Sequence, residues 1–312
     1  MKKLFIIGNG FDLSHGIPSA YNDFKDYLKT TYCIPDDPYP VVSSIDGHRG
    51  EIVVDPYESA KLLVYGINTT DDYVKWSEFE DDLAKMDFSW LAPSINDYAD
   101  KDGVTNPYFF GDIFTPYLND FLYNIAMWRK LFEEWVEEVN NDIIDTDSPY
   151  KTNDKVLKLL DSESFVLSFN YTKTIESIYN FYYILHIHNK VGEDLIWGHG
   201  KDKHSIDNSY DFDAEQLNIM VINTYKKEVD EQIEKHKMFF DSLKGLKLDI
   251  YSFGFDSSDV DLPYIKQIIN NISVESKWFL NDFSDSFYKQ KIVLELLGFK
   301  GEIIKWNANY YL

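Results

Sequence analysis

Leu4-Phe5-Ile6-Ile7 is an unbroken apolar, β-prone run, which suits a strand covered on both faces of a parallel sheet. It ends at Gly8-Asn9-Gly10, where two glycines one residue apart permit a sharp turn and a close approach of backbone. Phe24, Tyr27 and Leu28 then fall at helical spacing within residues 21–31. From 33 to 56 the pattern breaks. Prolines at 35, 38, 40 and 56 surround Val41-Val42 and Ile52-Val53-Val54, with Asp46-Gly47 between them, which predicts a small hairpin. Residues 57–161 read as helices throughout. One apolar stripe runs through Trp76, Phe79, Leu83 and Met86, and a longer one from Phe114 through Ile125 and Phe132 to Val139. The acidic runs 78–82 and 133–138 lie largely off these stripes and read as solvated faces.

Strand and helix signals alternate again from Phe165. A strand over 165–169 is followed by the turn Asn170-Tyr171-Thr172 and a helix over 174–183. Next come a strand over 183–188 and a short one, Leu195-Ile196-Trp197, that ends at Gly198-His199-Gly200. A polar loop and a charged helix over 214–243 follow. The C-terminal part predicts strands at 246–253, 274–280 and 302–306. Helices at 261–270 and 285–297 separate them, the second closed by Gly298. Alternation of this kind predicts an α/β fold, a parallel sheet with helices on both faces. The core would comprise 1–30, 161–200 and 246–312, interrupted by a hairpin plus helical cap at 31–160 and a second helical insertion at 201–245.

Composition narrows the function classes. Thirty basic against fifty-three acidic residues leave a net charge of −23, a field that opposes direct nucleic acid binding and anionic membranes. A single cysteine, Cys33, leaves no intrachain disulfide framework and no four-thiolate zinc module, and it fits a reducing compartment. No apolar run approaches the ~18 residues needed to span a bilayer. The expectation is a soluble cytoplasmic protein. Twenty-three tyrosines, many in the helical insertion, point to aromatic protein contacts and to a homo-oligomer.

In an open parallel sheet, ligands bind beyond the carboxyl ends of the strands. Gly8 and Gly10 stand at the end of the first predicted strand, Asn170 at the second, His188 at the third, His199 at the fourth, and Gly254 to Asp259 after the next. The Gly8-Asn9-Gly10 turn matches the opening of a dinucleotide fingerprint, although Leu13 occupies the position of its third small residue. His186, His188 and His199 could also converge on a metal, as in a metal-dependent phosphoesterase or nuclease. Asp12 either caps the short helix after the turn or accepts a hydrogen bond from a ribose hydroxyl. His15 is read as satisfying the Gly16-Ile17-Pro18 loop.

The segments GNGFDLSHGIPSAYNDF, SFNYTKTIE, HIHN, IWGHG and YSFGFDSSDVD resemble the bacteriophage abortive-infection AbiH family and, more distantly, the sirtuin-like dinucleotide domains. The resemblance implies a Rossmann-like core, with Asn170 and His188 as the catalytic pair. Gly8, Asn9, Gly10, Asp12, Gly254 and Asp259 would lie along the cofactor. Asn189 and Thr172 stand where sirtuins carry glycine and aspartate, and the chain has no zinc-binding cysteines. The implied activity is therefore hydrolysis of NAD to nicotinamide and ADP-ribose, without a metal, in an antiphage effector answering a phage-derived trigger. Such cleavage releases neutral nicotinamide and needs no general acid. It needs a held ribose, support for a cationic sugar and a placed water. The competing expectations are the metal-dependent enzyme and a dinucleotide sensor that does not turn over.

Overall fold

Leu4 and Ile6 pack on one face of a sheet while Phe5 and Ile7 pack on the other, so the opening run is apolar because neither face is wet. Each such fully buried side chain contributes roughly 1.5–3 kcal/mol. The structure is a computed structural model. It describes residues 2–35, 55–66, 79–80, 83–84, 107–145, 147–200, 212–255, 258–281 and 287–307. The expected hairpin lies largely outside the described residues.

The sheet contains six strands: β1 (Lys2–Ile7), β2 (Phe165–Ser168), β3 (Ile184–His186), β4 (Leu248–Phe253), β5 (Lys277–Asn281) and β6 (Glu302–Trp306). All are parallel, in the order β3-β2-β1-β4-β5-β6. Chain order therefore reverses between β1 and β4, and the loops after those two strands flank the switch point. On one face Phe11 of α1 (Asn9–Ser14), Val156 of α5 (Asp154–Leu159) and Ile175 and Tyr179 of α6 (Thr174–Tyr179) join Phe5, Ile7, Val166 and Phe253. On the other, Phe240 of α9 (Lys237–Ser242), Ile265 and Ile268 of α10 (Leu262–Asn271) and Leu294 of α11 (Phe287–Leu296) cover Leu4, Ile6, Leu167 and Ile250.

The chain divides into two compact units. The first, which carries the sheet, comprises residues 1–20, 133–200 and 227–312. The second comprises 21–132 and 201–226. It includes α2 (Tyr21–Thr31), α3 (Pro56–Gly66), the N-terminal part of α4 (Pro107–Ile144) and α7 (Phe212–Thr224). Its core is aromatic: Tyr21 stacks on Phe79 at 4.3 Å, Phe24 meets Phe132 edge-on, and Trp128 stacks on Tyr225. Both expected stripes are core where they are described. Glu80 is a correction. Expected on a solvated face, it is buried beside Phe79, because residues 100° apart can both fall within a wide buried arc.

Three predicted elements also differ. Leu195-Ile196-Trp197 is not a strand. Leu195 and Trp197 are buried in a loop whose backbone is satisfied elsewhere: Ile196 N–H donates to the His188 carbonyl and Leu195 N–H to Glu133. An apolar run reports burial, and here burial comes without sheet pairing. The long helix expected over 214–243 is three helices, α7, α8 (Val229–Lys235) and α9. One break falls at Lys227, whose N–H donates to the His199 carbonyl, and another at His236, which ends α8 and begins α9. The helix after β2 is shorter than the expected 174–183 because Asn180 takes a left-handed conformation at φ 53°. No helix among the described residues is long and apolar enough to cross a membrane.

The turn after β1 and the loop after β4 touch backbone to backbone. Gly8 N–H donates to the Phe253 carbonyl and Gly10 N–H to the Gly254 carbonyl, both at 3.0 Å. Gly254 has φ +58°, and a Cβ there would lie 2.1 Å from Phe11 N. Gly254→Ala should therefore cost about 3 kcal/mol or more in urea denaturation, combining backbone strain with a clash that nothing can relieve. Gly16, with φ +77° and open space around it, serves as control: Gly16→Ala should cost only about 1 kcal/mol. Equal costs at the two positions would remove the packing explanation.

Candidate functional site

The first turn of α1 brings Asp12 under the turn after β2. Asp12 is 1% exposed, and its Oδ2 accepts from the Thr172 hydroxyl at 2.6 Å. Thr174 Oγ1 lies 2.9 Å from Thr172 Oγ1. Thr172 has one hydrogen and gives it to the carboxylate, so Thr174 donates to Thr172. The residue that caps α1 is Gly8, with no side-chain bond, so Asp12 is not a helix cap. Burial pushes its carboxyl up to about 6, with Thr172, Thr174, Asn170 and the nearby His186 pulling the other way.

Asn170, at the end of β2, is 6% exposed. Its N–H donates to Ser168 Oγ, and its carbonyl lies 2.9 Å from His186 Nδ1. His186 Nε2 lies 3.1 Å from Glu176 Oε1, which also accepts from Lys190 Nζ at 3.0 Å. Burial alone would raise the Glu176 carboxyl. The hydrogen bond and charge of His186, with the bond from Lys190, hold it below the ordinary carboxylate range instead. Asp12, Asn170, Thr172, Thr174, Glu176 and His186 line a narrow, closely packed cleft together with Ile7, Phe11 and Ile175. Three polar atoms in it, Asp12 Oδ1, Asn170 Nδ2 and Glu176 Oε2, are buried without a hydrogen-bond partner.

His188 is 2% exposed and does not line that cleft. It sits among Phe169, Tyr171 and Tyr264, with Nε2 3.4 Å from Asp261 Oδ1 in a geometry that makes no hydrogen bond. A strand over 183–188 would put the side chains of 186 and 188 on one face. However, β3 ends at His186, and the turn beyond carries His188 to Phe169 and Tyr264, which belong to the cluster on the opposite face of the sheet. Burial and the charge of Lys227 lower His188 against the pull of Asp261. Burial would raise Asp261, but Lys227 and His188 hold it down.

The other sequence-predicted residues have different positions. The N–H groups of Gly8 and Gly10 are bonded to carbonyls of the loop after β4, and Gly254 is the other half of that contact. Asn9 Oδ1 accepts from Ser19 Oγ at 2.7 Å, and Asp259 is exposed. His15 is structural as expected, although its partners are Phe11 and Tyr179 rather than the Gly16-Ile17-Pro18 loop. The Tyr179 hydroxyl accepts from Asn153 N–H and so donates to His15 Nε2, which leaves Nδ1–H to donate to the Phe11 carbonyl. Among the described residues no group of three His, Cys, Asp or Glu side chains could hold a metal ion, so His186, His188 and His199 do not converge. Sequence reasoning missed Glu176 and Asp261 and weighed His186 only as a ligand. The available signal was Thr172, Thr174 and Glu176, polar residues two apart in a turn-to-helix segment that is otherwise buried.

These features define an α/β protein with a parallel sheet and a buried polar site beyond the carboxyl ends of β1, β2 and β3. A family model for bacteriophage abortive infection AbiH matches residues 4–282. The chain belongs to that family, and the match stops short of α11 and β6. No curated protein and no solved structure matches at a significant level.

Asp12 provides a test of whether the cluster serves stability. Burial pushes its carboxyl up to about 6 in the fold from an ordinary 3.8, so the native state holds the extra proton between those limits. Stability falls as pH rises through that window, and the whole penalty stands above it. Asp12→Asn keeps an acceptor for Thr172 and removes the charge. Thermal melts should show the variant more stable than wild type near pH 8, by an amount on the order of 3 kcal/mol, with the difference gone near pH 4. A variant less stable at both pH values would make Asp12 a structural anchor.

Proposed function

We propose that this chain is an abortive-infection effector whose sheet-bearing unit hydrolyses NAD to nicotinamide and ADP-ribose at the cleft of Asp12 and Asn170. The observation that carries the reading is that Asp12 Oδ1 and Asn170 Nδ2, two of the three unpartnered buried atoms of the cleft, lie beyond the ends of adjacent strands. Membership of the AbiH family supports the antiphage role. The strand order β3-β2-β1-β4-β5-β6, that of Rossmann dinucleotide sheets, supports a Rossmann-like and sirtuin-like reading of the core.

The residues suit the chemistry. Asn170 can donate to one ribose hydroxyl oxygen while Asp12 accepts from a hydroxyl or from the attacking water. An ionised Asp12 also opposes the positive charge that grows on the sugar as neutral nicotinamide leaves. Water adds at the anomeric carbon, the C–N bond breaks with its electrons going to nicotinamide, and the water proton passes to Asp12. A carboxyl at about 6 is largely ionised at neutral pH and still basic enough to take that proton. In this conformation the cleft leaves no room even for a water molecule, so a ribose enters only when the side chains lining it move apart. A second reading, a dinucleotide sensor without turnover, is favoured by Thr172, which stands where sirtuins carry aspartate and is spent on Asp12; the bonded N–H groups of Gly8 and Gly10 weigh on both readings alike.

Nicotinamide release from NAD, followed with and without phage components, tests both readings. Asn170→Ala and Asp12→Asn should each lower turnover by about 100-fold or more, whereas His188→Ala, outside the cleft, should cost less than about tenfold. NAD binding without any release of nicotinamide under activating conditions would favour the sensor. Loss of turnover in His188→Ala as deep as in Asn170→Ala would move the chemistry away from Asp12.

A further inference from the structure

Both ring nitrogens of His186 face acceptors. Nδ1 lies 2.9 Å from the Asn170 backbone carbonyl, which has no hydrogen to give. Nε2 lies 3.1 Å from Glu176 Oε1, an oxygen that also takes Lys190 Nζ. Lys190 Nζ, which can only donate, already lies on that oxygen, so Glu176 Oε1 too is an acceptor. A neutral imidazole carries one N–H and one lone pair, and either tautomer would point that lone pair at an oxygen. His186 and Glu176 are both buried, where such a mismatch is least tolerated.

The charges give the same answer. The groups facing the ring are Asp12 from α1, Asn170 and Thr172 from the turn after β2, Glu176 from α6 and Lys190 from the turn after β3. With Asp12 and Glu176 negative and Lys190 positive, a neutral ring would leave a net negative charge in a cluster where burial already opposes one carboxylate. A ring with two hydrogens brings the cluster to neutrality.

We propose that His186 is held as a buried imidazolium and is the positioning residue of the cleft, its Nδ1–H fixing the Asn170 carbonyl. The role rests on the assignment of the cleft to Asp12 and Asn170, whereas the hydrogen count does not depend on any activity. Through the ring, Glu176 and Lys190 set where the Asn170 amide stands. Loss of either ring hydrogen would release one end of that chain of bonds and leave the amide free to turn.

Ring-nitrogen NMR of the full-length chain, labelled with ¹⁵N-histidine and held at neutral pH, counts the hydrogens directly. One imidazole should show both nitrogens protonated. Through-space contacts to Glu176 and Asn170 assign it in the wild type, so the result does not depend on a variant that folds. In Glu176→Gln the same ring should fall to a single N–H, and a His186 ring with one bare nitrogen in the wild type would overturn the proposal. In the nicotinamide assay His186→Gln should lower kcat roughly tenfold to a hundredfold with little change in KM. An unchanged kcat would overturn the positioning role. Should NAD not be cleaved at all, the nitrogen spectrum still decides the proton count, so the two failures are told apart.

Discussion

The contact between the turn after β1 and the loop after β4 sets the rest of the site. A Cβ on Gly8, Gly10 or Gly254 would lie within 2.1 to 2.7 Å of facing backbone, so the two loops can approach only as glycines. Their closeness starts α1 directly at the strand end and drops Asp12 beneath Thr172, on the β2 side of β1. The same contact uses the N–H groups of Gly8 and Gly10 on the protein's own carbonyls. What remains beyond the strand ends is a site of side chains, in which the carboxylates of Asp12 and Glu176 and the carboxamide of Asn170 have bonding capacity to spare.

Two buried carboxylates in that site show how partners decide between burial and charge. Glu176 meets His186 and Lys190, and their bonds outweigh burial. Asp12 has hydroxyls and a more distant imidazole, and there burial wins. Hydroxyl donors stabilise an anion less than cationic donors do. A carboxylate held at such cost, with one oxygen unpartnered, is poorly explained by stability and well explained by chemistry.

Much of the fold was legible because periodicity responds to burial. The helix 21–31 and the last strand, 302–306, have the predicted limits, and the other five strands fall within a few residues of theirs. Leu195-Ile196-Trp197 misled for the same reason: three apolar residues look alike in a central strand and in a buried loop. Asn170 was legible from its place at a strand end. His186 and His188 were not separable, since a period of two holds only while the strand continues, and the chain turns one residue after His186.

The sequence by itself determined a parallel α/β sheet, a glycine turn at the end of its first strand and an asparagine at the end of its second. Those features depend on local sterics and on alternation of side chains, which the order of residues carries. Only the tertiary structure decided that the glycines face a third glycine 244 residues beyond Gly10, that Thr172 holds Asp12, and that the imidazole beside Asn170 is His186 while His188 packs with Tyr264. Those pairings join segments far apart in the chain, and they follow from how the two faces of the sheet are covered rather than from any short stretch of residues.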